Sequence, residues 1–285
     1  MTSMQLPDET FYVSDTQIFT SGYHIGFRGM GEQLDHDITP SDLNCSHSRY
    51  IITIPSQDSL FFCGSGDLYS CTFSGTSLQN VTPNNDKDLI NPSLSNCGNY
   101  ITMVSPGFIH RFNRTSRELV EFPIWREAQY ALYNSLQDKF YVFADDNLYV
   151  LDEMGTTPIL LMKAEGINSF FSVSPNLRYF AFYGVWTSYG FLAQVYDCEE
   201  QRIIEIANCY TLCFSPTESK LFYSSKRHGL SDLRSYDLYT GNDVLLTDGI
   251  NPDNWFLDDI SNIFVRSDGD KILFSAHTQK HTNDL

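Results

Sequence analysis

The residues of this chain that could do chemistry are histidines, paired carboxylates, cysteines and glycine-rich segments, and spacing decides what each group can do. Seven histidines, His24, His36, His47, His110, His228, His277 and His281, are potential metal ligands. His277 and His281 stand four apart, a spacing that joins two ligands on one metal only on a helix; in the C-terminal tail the pair reads as an end segment. Asp145-Asp146 and Asp258-Asp259 are carboxylates of the type that divide acid and base work in glycoside cleavage. Neighbours on a strand point to opposite faces, so Asp145-Asp146-Asn147 reads as a turn and Asp258-Asp259 as part of a long connection. Gly64-Ser65-Gly66 lacks the Gly-x-Ser-x-Gly spacing of a nucleophile elbow, which occurs nowhere in the chain. Gly26-Phe27-Arg28-Gly29-Met30-Gly31 has glycines without the lysine of a phosphate loop and reads as a loop. Cys209 and Cys213 lack a second pair at zinc-ligand spacing and read as small buried apolar residues. No catalytic residue, metal site or cofactor is expected.

Composition narrows the class. With 42% hydrophobic and 14% aromatic residues the chain can bury a large core, and its tyrosines and phenylalanines favour half-buried pleated surfaces. A net charge of −17 repels phosphate backbones and anionic lipid, so neither nucleic acid nor membrane is an expected partner. The first twenty residues carry no basic segment followed by a long apolar run, and no apolar stretch reaches spanning length. Seven scattered cysteines without a Cys-x-x-Cys pair fit reduced thiols and a cytoplasmic location.

The elements that must position any site come from a repeat. A polar residue followed by an apolar β-rich run recurs at positions 49, 99, 139, 178, 220 and 271, about 44 residues apart on average, the length of one four-stranded propeller blade. Ahead of it stand short strands closed by turns, as in Phe171-Ser172-Val173-Ser174-Pro175 and Leu212-Cys213-Phe214-Ser215-Pro216. Behind it come strands ending on an aromatic and an aspartate, Tyr196-Asp197 and Tyr236-Asp237, and then a fourth apolar run such as Val244-Leu245-Leu246. Helical periodicity is absent from every long window. The fold class is therefore all-β: a β-propeller of six four-stranded blades, with seven blades as the alternative, filling residues 1–285 as a single domain. The blades run approximately over 41–82, 83–124, 125–163, 164–206, 207–247 and 248–285, with N-terminal strands within 10–40. The last repeat has room for two strands, and strands around Phe11-Tyr12-Val13 and Gln17-Ile18-Phe19 are expected to complete its sheet and close the ring.

Two stretches resemble a known repeat. Val81-Thr82-Pro83 through Asn91-Pro92-Ser93 to Tyr100-Ile101, and Leu246-Thr247-Asp248-Gly249 followed by residues 264–275, resemble the repeat of TolB-like propellers. The same repeat builds the N-terminal propeller of the prolyl oligopeptidase and dipeptidyl peptidase clan. The resemblance spans about residues 40–277 and implies a fold, with little functional specificity. Turns at 95–98, 174–177 and 215–218 depart from the usual Ser-Pro-Asp-Gly-Lys, which leaves the blade number open between six and seven.

The functional expectation is a non-catalytic scaffold that binds a protein or peptide through one face. Connections from an outer strand to the next inner strand line that face, and two carry aromatics beside charge: Trp125 with Arg126, and Trp255 with Asp258. Trp and Arg are enriched at binding hot spots. Trp186 and Tyr189, on a hairpin of the fourth blade, form a third candidate. The alternatives are a propeller enzyme with a metal or carboxylates in its channel, and the substrate-gating part of a longer serine peptidase.

Overall fold

Short runs rich in Val, Ile, Phe and Tyr, punctuated every few residues by Asn, Asp, Gly and Ser, favour strands and tight turns over helices. The computed structural model describes residues 9–13, 16–21, 24–29, 36–37, 43, 51–54, 57–72, 75–83, 85–152, 158–163, 170–187, 190–217, 219–227, 230–247, 255–265 and 272–280, the strands nearest the termini chiefly by backbone. No α-helix occurs among the described residues. The chain divides into two units, Met1–Lys163 and Ala164–Leu285.

The first unit holds four sheets, each an antiparallel meander of four strands in chain order. They are β1 to β4 (Glu9–Val13, Thr16–Ser21, His24–Gly29, His36–Asp37) and β5 to β8 (Ile52–Ile54, Ser59–Gly64, Asp67–Cys71, Gln79–Asn80), followed by β9 to β12 (Ile90–Leu94, Tyr100–Ser105, Phe108–Asn113, Leu119–Pro123) and β13 to β16 (Ala128–Asn134, Lys139–Ala144, Asn147–Asp152, Ile159–Lys163). The second unit holds β17 to β20 (Phe170–Val173, Tyr179–Thr187, Gly190–Asp197, Arg202–Ala207) and β21 to β24 (Cys209–Phe214, Lys220–Arg227, Leu230–Asp237, Asp243–Leu245), and a pair, β25 (Trp255–Val265) and β26 (Ile272–Lys280).

In the sheets of β5–β8, β9–β12 and β13–β16 burial falls from the second strand to the fourth. After their first residue the second strands β6, β10 and β14 are buried at every position, because both their faces meet apolar side chains. One layer in the first unit joins Cys63, Leu68, Ile101 and Phe112, and the next joins Val104, Ile109, Phe140 and Val142. In the second unit Tyr179, Val195, Leu212 and Leu221 share one layer, and Phe222, Leu233 and Ile263 another. Each fully buried Phe contributes about 1.5–3 kcal/mol over its exposed state. The fourth strands β8, β12, β16, β20 and β24 are largely exposed, β16 showing Ile159, Leu160 and Lys163 to solvent.

Two polar devices set the repeat. At the turn from first to second strand, the Ser95 amide donates to the Tyr100 carbonyl at 2.9 Å and its Oγ accepts the Tyr100 amide at 3.0 Å. Ser174 does the same with Tyr179, both at 2.9 Å. At the end of the third strand a carboxylate or amide oxygen caps the next turn: Asn113 Oδ1 accepts from Thr115 and Ser116, Asp197 Oδ1 from Glu199 and Glu200, and Asp237 Oδ1 from Tyr239 and Thr240. The recurrent aromatic-aspartate signal is thus a turn device.

Three expectations change. The N-terminal strands do not complete the last sheet: β1 to β4 form a sheet of their own, and among the described strands β25 pairs with β26 alone. Of residues 26–31, read as a glycine loop, Gly26 to Gly29 belong to strand β3, which is held by six paired positions along β2, and Met30 and Gly31 lie outside the described residues. Trp255 and Asp258, expected in a connection, lie in strand β25, where Trp255 opposes Lys280. That strand carries bulges at Leu257/Asp259 and Ser261/Ile263, and a bulge admits an extra residue that breaks the alternation a strand would otherwise show.

Candidate protein-interaction surface around Trp125

Trp125 and Arg126 sit where β12 passes to β13. The preceding Ile124 amide donates to the Gly107 carbonyl at 2.9 Å, which fixes the start of the connection against the β10–β11 hairpin. Gly107 has φ +79°, a conformation that favours glycine over L side chains. Thus anchored, Trp125 remains 42% exposed and meets the Tyr149 ring edge-on at 5.2 Å. Tyr149 packs inward on the layer of Val104, Phe140 and Val142. Its direct neighbour on β16 is Leu160, which is 51% exposed. Trp125, Tyr149 and Leu160 therefore form one continuous apolar surface across a connection and two strands.

Charge borders that surface. Arg126 bonds Asp145, and this partner raises its already high pKa. Asp145 and Asp146, with φ 49° and 57°, are the two central residues of the β14–β15 hairpin, the left-handed pair that matches strand twist. The turn reading of these carboxylates holds.

The other candidates lie elsewhere. Trp186 is in β18 opposite Phe191, while Tyr189 lies outside the described residues. Trp255 and Asp258, in β25, belong to the second unit, and Trp125 to the first. Cys209 and Cys213 do not make a metal pair. A bulge between Cys209 and Thr211 puts them against different layers, Cys209 with Tyr179 and Leu212, Cys213 with Phe222 and Ile263. Burial pushes the Cys213 thiol up to about 11 and Cys209 higher still, so neither supplies a thiolate.

One constellation escaped sequence reasoning. Ser105 Oγ lies 2.7 Å from His110 Nε2, and Glu121 Oε1 lies 3.9 Å from His110 Nδ1. Serine, histidine and carboxylate are the components of an acyl-transfer triad, here brought together because His110 on β11 opposes Glu121 on β12. Burial decides against that chemistry: Ser105 is 3% exposed and His110 0%, so no substrate carbon reaches the hydroxyl. Burial lowers the His110 pKa and keeps the ring neutral. Only the strand pairing joins these three residues, and no spacing in the sequence announces it.

Among the described residues no group of three or more His, Cys, Asp or Glu stands close enough to share a metal ion. The described residues also include no helix long and apolar enough to cross a membrane.

No family model and no curated protein matches the sequence. Solved structures match by shape. An oligogalacturonate lyase in complex with manganese aligns with a TM-score of 0.58 and 11% identity over 81% of this chain and 73% of that one. TolB from Acinetobacter baumannii aligns with a TM-score of 0.52 and 12% identity over 75% of this chain. The alignment takes in 57% of the TolB chain, less than two thirds of its length. At such identities the likeness concerns architecture, and it agrees with the antiparallel four-stranded sheets and the absence of α-helix among the described residues. The fold of this chain is a β-propeller, similar in architecture to those of the lyase and of TolB.

Proposed function

We propose that this propeller is a scaffold that captures a protein or peptide, with the Trp125 surface as its contact. One observation carries the reading: a half-exposed tryptophan held against Tyr149 and continued by the half-exposed Leu160. A rigid aromatic anchor with apolar neighbours and a charged rim is the composition of a binding hot spot. The net charge of −17 favours a basic partner and disfavours nucleic acid and anionic membrane. Six thiols free of disulfides, at Cys63, Cys71, Cys97, Cys198, Cys209 and Cys213, support a cytoplasmic location.

Trp255 with Asp258, and Trp186 with Tyr189, are proposed as separate contacts. Affinity capture from an extract of the source cells, followed by mass spectrometry, tests the set. Trp125→Ala is expected to weaken retention of a specific partner by more than about 1 kcal/mol, roughly fivefold, with the circular dichroism spectrum unchanged. Unchanged retention by that variant would remove Trp125 as the contact; Trp255→Ala, measured alongside, reports on the second unit.

A further inference from the structure

A sheet edge presents a row of backbone donors and acceptors to any passing chain, and natural edges are guarded by charge, proline or shortness. The fourth strands of this protein show each guard. β8 has two residues and β24 three, beginning at exposed Asp243. β12 exposes Glu121 and Pro123, and β20 flanks its exposed Ile203 with exposed Arg202 and Glu205. β16 departs from the pattern: its sequence is Ile-Leu-Leu-Met-Lys, its charge stands at the last position, and Ile159 and Leu160 are 59% and 51% exposed. Among the described strands its only neighbour is β15.

We propose that β16 is a docking edge, and that the partner captured at the Trp125 surface adds an extended segment to it as a further strand. This rests on the reading of that surface as the contact. Strand addition draws affinity from main-chain hydrogen bonds and specificity from alternate side chains. The side chains of one face of the added segment would meet Leu160, continuing the row from Tyr149. Charge selects the occupant. Asn147 opposes Lys163, so the β14–β15 hairpin tip lies beside the C-terminal end of β16. That tip and the 125–127 connection carry Asp145, Asp146 and Glu127 against Arg126, which is paired with Asp145, and Lys163 at the end of β16, an excess of one carboxylate at this end. The segment that fits is apolar at alternate positions and basic at the end that lies beside the hairpin tip.

The test uses the full chain and a defined probe, the blocked peptide Lys-Thr-Val-Thr-Ile-Thr-Val-Lys, read by fluorescence anisotropy. It is expected to saturate with a Kd below about 1 mM. A twin with alternate amides N-methylated keeps the side chains and loses the donors; it is expected to bind at least about tenfold more weakly. Replacing the terminal lysines by glutamates, or Leu160 by Lys in the chain, is expected to give a comparable loss. Because Leu160 is half exposed, Leu160→Lys leaves the fold intact, which its urea transition checks. No saturation by the parent peptide, or equal binding by the methylated twin, overturns the docking edge. If the chain dimerises in light scattering and Leu160→Lys returns it to monomer, the edge is a self-interface and the proposal fails in that way. Trp125→Ala losing cellular capture while the methylated twin binds normally leaves the surface standing without the strand; unaffected capture and unaffected twin together remove both.

Discussion

β16 and β20 hold the same place in successive sheets, each the outer strand of an antiparallel meander, and they present opposite characters. From Ile203 to Ala207 β20 alternates between solvent and core, with Ile204 and Ile206 buried and exposed Ile203 standing between Arg202 and Glu205. The turn before it is tied down by Asp197, which is buried, receives two bonds from Arg178 at 3.0 and 2.8 Å and caps the amides of Glu199 and Glu200. β16 shows an apolar run, Ile159 and Leu160, in the sheet whose Tyr149 meets an exposed tryptophan. In a repeat fold the inner strands are constrained by packing on both faces. The outer strand is free to diverge, so successive edges differ in the residues they show to solvent.

The largest effect that separates the two regions is on stability. Asp197→Ala leaves the Arg178 guanidinium and two turn amides without their acceptor, and is expected to cost about 2–4 kcal/mol in urea unfolding. Trp125→Ala, at a half-exposed site, is expected to cost less than about 1 kcal/mol. Equal losses would erase the distinction between a stabilising edge and a contact edge.

A second effect is on pH dependence. Burial lowers the His110 pKa below its ordinary 6.5, opposed by Glu121 and Asp86 and reinforced by Lys87. The unfolded chain therefore takes up a proton first, so stability is full above pH 6.5 and is lost as the pH falls from there toward the folded value. Asp197 acts in a lower window. Its burial alone would raise the carboxyl, but Arg178 and the amides of Glu200 and Glu199 bring it below its ordinary 3.8, and its contribution is lost only as the pH falls through that depressed value. Urea midpoints for His110→Gln are expected to change less than those of the native chain between about pH 7 and 5. A parallel decline in both proteins would show that another group carries the titration.

The smallest effect concerns thiol reactivity. Burial raises the Cys97 thiol, but hydrogen bonds from Ser135, Ser95 and the backbone outweigh it and leave the pKa below 9.0; Cys71 and Cys198 are pushed up to about 12. Cys97, exposed at the β9–β10 turn, is expected to be carbamidomethylated by iodoacetamide ahead of the others in mass spectrometry. Earlier labelling at Cys71 or Cys198 would contradict that order.

Much of the architecture was legible because the repeat has local chemical causes. Ser95 and Ser174 bond the chain five residues on, and Asp197 and Asp237 cap the next two amides, so each leaves a recurrent residue in the sequence. Trp125 was legible for a similar reason, as an aromatic beside charge in a short connection. What escaped reading was non-local or irregular. The glycines at 26 and 29 hid strand β3, and two bulges hid β25 behind Asp258, Asp259 and Asn262. The contact of Trp125 with Tyr149 and the pairing of Tyr149 with Leu160, like the meeting of Ser105 with His110 and Glu121, depend on strand register, which a linear pattern does not display.

Hydrogen exchange on the affinity-purified complex and on the free chain puts the contrast between the two edges to its most direct trial. Slower exchange in peptides covering residues 125–127 and 159–163, with residues 202–207 unchanged, is the predicted result. Protection at 202–207, or none at 125–127 and 159–163, would contradict the assignment of the Trp125 surface as the contact.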